Sequence, residues 1–161
     1  MEVEIRQAKS TDQGAIAELM YSSGPELYDF LYKNKAISLL EYEFQSGKGF
    51  AGHKNVTVAV SNGQVVGTGC FYGREEYEQL VKGTMKNVSE FLGRIRAIPV
   101  FLRSRHMGSV MRAPRKGELY LSNFGVDPQC RSMGIGSRMI RHKLAEARSQ
   151  GYKIFGLDVI G

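Results

Sequence analysis

The chain has 161 residues, 42% hydrophobic and 24% charged, which fits one soluble globular domain over residues 1–161 and excludes a disordered or low-complexity chain. No apolar run approaches the roughly 20 residues that span a bilayer, and the charged, alternating N-terminus lacks the apolar stretch of a signal peptide. The net charge of +6 is uneven: between Phe91 and Gly117 stand seven basic residues (Arg94, Arg96, Arg103, Arg105, Arg112, Arg115, Lys116) and no acid, which leaves the rest of the chain at about −1.

So basic a segment suits phosphates, an acidic partner or nucleic acid. A solvated helix face is the plainer reading, and Phe101 is the one aromatic residue interleaved with these arginines, so nucleic acid is not an expected partner. Cys70 and Cys130 form neither a disulfide framework nor a metal motif, and His53, His106 and His142 are scattered. The expectation is a reduced, cytoplasmic protein with no metal and no membrane association.

In chain order, Val3 and Ile5 share one face of a first strand. Ser10 or Thr11 is the expected N-cap of a helix with Ala15, Ile16, Leu19 and Met20 on one stripe, and Gly24-Pro25 breaks it. A second helix or helix pair carries Leu27, Phe30, Leu31, Leu40 and Phe44, ending at Gly47 and Gly49. Val56, Val58 and Val60 then alternate into Asn62-Gly63, a type I′ turn signal, and Val65-Val66 resumes the strand. Gly67 and Gly69 in that strand suggest a bulge or a close backbone approach.

From Arg74 onward the pattern is helical, with Val81, Met85, Val88, Leu92 and Ile95 on one face, and Pro99 is expected to end or kink it. A second apolar group, Val100, Phe101, Met107, Val110 and Met111, sits among the basic residues, so 74–116 reads as a helical, basic insertion. "GELYLSNFGVDP" is a buried strand, "IGSRMIRHKLAEARSQG" an amphipathic helix stopped by Gly151, and "YKIFGLDVI" a final strand. The order is β-α-α-β-β-(α)-β-α-β, an α/β chain with a mixed sheet whose last two strands are parallel.

The chemistry concentrates in "VDPQCRSMGIGSRMI", residues 126–140. A strand ends there and a helix begins near Gly134, so successive N–H groups face whatever lies beyond the helix start. An anion is favoured at that place, by about 0.3 to 2 kcal/mol from the dipole alone. Gly134 and Gly136 remove side chains where a ligand would touch the backbone; Arg131 adds a charge and Ser137 a hydroxyl. A pyrophosphate suits these groups. A P-loop would need a Gly-Lys-Ser/Thr end that is missing, and a dinucleotide fingerprint would need G-x-G-x-x-G after the first strand.

The segment resembles motif A of the GNAT superfamily of acyl-CoA-dependent N-acetyltransferases, [QR]-x-x-G-x-[GA], matched by Arg131-Ser132-Met133-Gly134-Ile135-Gly136 with the family's order of elements around it. The resemblance implies a GNAT-like fold and acetyl-CoA as cosubstrate, with the pyrophosphate on Arg131, Ser132 and the amides of Met133, Gly134, Ile135, Gly136 and Ser137. It further implies that the strand through Phe124, Gly125 and Val126 splays from the last strand, bonds the pantetheine arm and polarises the thioester carbonyl. An acceptor amine, of a small molecule or peptide, then attacks directly.

Two departures from the family follow. The strand places that often carry a carboxylate hold Phe124, Ser122 and Tyr120; Tyr120 and Ser122 are the catalytic candidates, as water-ordering groups, and Glu118 lies one step farther out. The chain also stops where family members continue into a helix, which often carries a tyrosine acid, and two more strands. A C-terminal part missing from the sequence is therefore expected, or a sheet completed in a homodimer. The rival function is a non-catalytic acyl-CoA-binding or regulatory module of the same fold.

Overall fold

Five strands form one sheet whose spatial order follows the chain: β1 (Glu4–Gln7), β2 (Val56–Ser61), β3 (Gln64–Tyr72), β4 (Glu118–Val126) and β5 (Ile154–Leu157). The first three pairings are antiparallel and β4–β5 is parallel, the mixed α/β arrangement expected. This computed structural model describes residues 1–12, 15–109 and 112–157. Helices α1 (Ile16–Tyr21), α2 (Pro25–Tyr32) and α3 (Ala36–Ser46) cover one face, where Leu19, Met20, Leu40 and Phe44 pack with Val56, Val58 and Cys70. On the other face α6 (Ile135–Ser149) brings Ile135 and Met139 against Val3, Ala59 and Val66. The insertion between β3 and β4 is helical, as expected: α4 (Arg74–Leu92) and α5 (Arg94–Arg105) pack on α3 through Leu39, Val88, Ala97 and Val100. Among the described residues no helix is long and apolar enough to cross a membrane.

The β2–β3 hairpin turns at Asn62 (φ 49°) and Gly63 (φ 76°), both left-handed as a type I′ turn requires. Gly67 does serve a close approach. A Cβ there would stand 2.9 Å from the Met139 sulfur, so the glycine lets α6 settle onto the sheet.

Three local expectations are corrected. The N-cap of α1 is Ala15, with no side-chain cap, and not Ser10 or Thr11. Asp12 organises this approach instead, accepting from the Lys9 N–H at 2.8 Å and pairing with Arg6 at 2.7 Å. Pro99 does not end its helix. The break falls at Gly93 (φ 85°), and α5 runs through Pro99, which stands with Ile95 on the exposed side, where water can satisfy the carbonyl that proline leaves unbonded. The expected apolar stripe from Val81 to Ile95 is also not realised: Met85 on α4 and Ile95 on α5 are exposed, while Thr84 and Asn87 of α4 turn inward to bond Glu43 and the Lys48 carbonyl. Val110 and Met111 lie outside the described residues.

Two of the seven basic residues hold the fold. Arg103 donates to the Leu31 carbonyl in the last turn of α2, at 2.6 and 3.1 Å, where a cation is favoured. Arg112 grips Glu118 at 2.6 and 2.8 Å.

Candidate active site at the β4 bulge and the α6 N-terminus

Strand β4 is not straight. Its register against β3 moves from Gly125 opposite Thr68 to Ser122 opposite Cys70, so Asn123 and Phe124 together face one residue. Asn123 takes φ 51°, which asparagine tolerates better than most side chains, and a bulge results. The bulge resets which side chains point where. Tyr120 and Ser122 share a face, as expected from their spacing. Asn123 joins them on the α1–α3 side, where the Tyr28 hydroxyl donates to its Oδ1. Phe124 is turned to the opposite face, against Ile135 and Met139, and Val126 packs with it.

Counting back by twos from Val126 reaches Phe124 correctly but then carries Ser122 and Tyr120 onto the same face, because the count assumes an unbroken pleat where the bulge intervenes. Gly125 returns to the α1 side, where a Cβ would collide with the Leu19 carbonyl oxygen. Strand β5 pairs with Glu118–Leu121. Residues Ser122–Val126 continue past Leu157, and the expected splay of the last strand falls on 158–161, outside the described residues.

Beyond Val126 the chain makes a 3-10 turn, Pro128–Cys130, capped by Asp127, whose carboxylate accepts from the Gln129 N–H at 2.8 Å. Arg131 follows in extended conformation with its Nε 3.4 Å from the Val126 carbonyl. Ser132 (φ 63°) and Gly134 (φ 75°) are both left-handed, and Gly134 is the N-cap of α6. Arg131, Ser132, Met133, Gly134 and Ser137 are exposed around this start, so the loop is open to a ligand.

The two glycines have different tasks. A Cβ on Gly134 would meet nothing within 4 Å, so backbone conformation is what demands glycine there. A Cβ on Gly136 would press on the Phe124 ring at 3.3 Å, so this glycine lets the first turn of α6 lie against β4. Ile135 is 2% exposed and its side chain belongs to the core, which leaves only its N–H for a ligand.

Tyr120 is 3% exposed, tilted against the Tyr72 ring at 5.5 Å, with the Arg112 guanidinium 5.4 Å above its ring. Ser122 Oγ lies near the Tyr72 hydroxyl but is buried with no partner at hydrogen-bond distance among the described residues. Glu118 is committed elsewhere. It is 2% exposed and takes two bonds from Arg112 and one from the Arg115 N–H at 2.6 Å, which hold its carboxyl down at about 2. An acid so stabilised as the anion is a poor proton acceptor.

The sequence reading passed over one buried acid, Glu43 on α3, 2% exposed and close to this face of β4. Its place on the helix could have shown it: Leu39, Leu40, Glu43 and Phe44 form one stripe, so Glu43 occupies a core position.

No curated protein matches the chain by sequence. Among solved structures, one described as an acetyltransferase aligns over 97% of this chain and 80% of its own, with a TM-score of 0.66 and 21% identity. An N-acetyltransferase from Staphylococcus aureus Mu50 aligns over 89% and 75%, with a TM-score of 0.64 and 18% identity. A GNAT family acetyltransferase from Brucella melitensis, solved in complex with acetyl-CoA, aligns over 97% and 75%, with a TM-score of 0.52 and 19% identity. At these identities the likeness is one of fold. The model of the Acetyltransferase (GNAT) family matches residues 20–160, from the end of α1 through the bulge, the glycine loop and β5. With the bulged strand and the loop that opens α6 lying inside that match, the chain belongs to the GNAT acetyltransferase family.

Proposed function

We propose that this protein is an N-acetyltransferase that moves the acetyl group of acetyl-CoA to a primary amine. The observation that carries the reading is the loop between β4 and α6, in which two left-handed residues and an exposed arginine open a 15-residue helix beside a bulged strand. The residues fit coenzyme A. Arg131 and the amides from Met133 to Ser137 present positive charge and donors to a pyrophosphate, on a loop whose residues Arg131–Gly134 are exposed. Val126, Gly125 and Phe124 offer backbone groups to the pantetheine arm. The acetyl-CoA complex of the Brucella relative supports the choice of donor.

Bound acetyl-CoA supplies the thioester carbon to which the amine nitrogen bonds, with the thiolate leaving and the nitrogen giving up one proton. This chain's part is to hold the donor on the loop and to place an N–H near Phe124 beside the carbonyl oxygen. A primary ammonium starts near pKa 10.4, so it must lose its proton on the enzyme. Tyr120 and Ser122 face that side and serve, in this reading, to order water along the proton's path.

One observation favours the second reading, a non-catalytic acyl-CoA-binding module. On the acceptor side β4 presents Tyr120, Ser122 and Asn123 and no free carboxylate, since Glu118 is locked by Arg112. Turnover separates the two. Acetyl-CoA titrated calorimetrically into the protein should bind, and thiol release should then rise with an amine panel. Binding without release from any amine would favour the module, and no binding by the folded protein would refute both.

A further inference from the structure

Glu43 is an acid that the packing of the fold does not account for. Its Oε1 accepts the Ala51 N–H at 2.9 Å and the Thr84 hydroxyl at 2.7 Å. Its Oε2 is buried and has no hydrogen-bond partner among the described residues. Burial pushes the carboxyl up, while the donors around it, Ala51 and Thr84 first and Asn87 and Phe50 at longer reach, pull it back. A buried charge is normally paired, so an orphaned carboxylate oxygen needs a reason.

The surroundings supply one. Glu43 lines a cavity of about 50 Å³ together with Leu27, Tyr28, Tyr32, Phe50 and Asn123. That is room for a few waters or for the head of one primary amine. Three aromatic rings and a carboxylate make a lining that attracts a cation, and among the described residues no lysine or arginine borders it. Asn123 is the bulge residue of β4, so the cavity reaches the strand at which the acyl group is held if the acetyltransferase reading is right.

We propose that Glu43 is the residue that recognises the acceptor, its Oε2 meeting the ammonium of a small primary amine held in this cavity. The inference rests on the acetyltransferase reading for the word acceptor. The binding of an ammonium stands or falls by itself. It predicts a preference for cationic amines over neutral or anionic acceptors of the same size.

The test uses the intact protein and two probes, acetyl-CoA followed by calorimetry and n-butylammonium chloride followed by backbone amide NMR shifts at Ala51 and Asn123. The variants are Glu43→Gln, which keeps an oxygen for Ala51 and Thr84 but removes the charge, and Leu27→Trp, which fills the cavity and leaves Glu43 in place. Acetyl-CoA should bind all three proteins within twofold. Butylammonium should shift both amides in the wild type and bind at least tenfold more weakly to each variant, while n-butanol should bind no better to the wild type than to Glu43→Gln. If Glu43→Gln loses acetyl-CoA binding as well, its fold is impaired and Leu27→Trp decides. Absence of the shifts in the wild type, or equal butylammonium affinity in the folded variants, overturns the inference. A wild type that takes up butylammonium but not acetyl-CoA would refute the acetyltransferase reading and leave the ammonium site standing.

Discussion

Replacing Glu118 by glutamine tests whether the first residue of β4 is a structural anion. Glu118 sits opposite Ile154 in the parallel β4–β5 pairing, 2% exposed, with three donors within 2.8 Å. A carboxyl held at about 2 instead of its usual 4.5 contributes about 3 kcal/mol to folding when ionised. Arg112 is 36% exposed, so solvent screens part of that, and about 2 kcal/mol is expected at pH 7. The sign is fixed by the direction of the shift. Because the folded value lies below the unfolded one, the contribution is complete above about pH 4.5 and is lost as pH falls toward 2. Urea unfolding of wild type and Glu118→Gln at pH 7, 5, 4 and 3 isolates it, since other acids titrate alike in both. The difference should stay near 2 kcal/mol at pH 7 and 5 and drop to about half or less by pH 3. A difference that holds constant to pH 3 would refute the electrostatic argument and assign the loss to packing. No difference at pH 7 would show that Arg112 is equally well placed without its anion.

Gly136→Asp, which sets an anion against the expected pyrophosphate, should weaken acetyl-CoA binding at least tenfold by calorimetry; wild-type affinity would defeat the site assignment. Gly134→Ala should leave the loop's shape available but cost about 1–2 kcal/mol in urea unfolding, since φ is 75° and space is not limiting. An unchanged midpoint would mean the loop adopts another conformation. Tyr120→Phe should change turnover less than tenfold, because the ring's burial between Tyr72 and Arg112 already explains a tyrosine there; a larger loss in steady-state assays would give the hydroxyl a direct part. Tyr28→Phe removes the donor to Asn123 Oδ1 and should destabilise the protein by about 1–3 kcal/mol in thermal or urea unfolding.

How far the sequence carries the reader depends on whether a feature is written in local chemistry. The hairpin was legible because Asn62-Gly63 can hardly mean anything else between alternating valines, and the α6 loop because Arg131 and two glycines stand between a strand and a helix. The insertion was legible as helical, but its break was placed at Pro99 when Gly93 makes it, since a proline on the solvent side of a helix costs only a bond that water can replace. The bulge was missed although the sequence marks it: in "LYLSNFGV" the apolar residues shift phase from Leu119 and Leu121 to Phe124 and Val126, and asparagine's tolerance of αL makes Asn123 the natural place for the extra step.

That one step decides the chemistry of the acceptor side. With an unbroken pleat, Phe124 would follow Tyr120 and Ser122 toward α2 and α3, and a phenyl ring would occupy the ground next to the cavity. The bulge sends the ring to α6 and puts the Asn123 amide there in its place, within reach of Tyr28. The polar residues Thr84 and Asn87, which spoil the apolar stripe of α4, turn inward for a related reason: Thr84 holds one oxygen of Glu43, and Asn87 fixes the Lys48 carbonyl nearby. Each of these departures from pattern looks like noise when read alone. Asn123 and Thr84 both line one small cavity, and a fold that breaks a strand's phase and a helix's stripe at the same place is shaped there by something other than core packing.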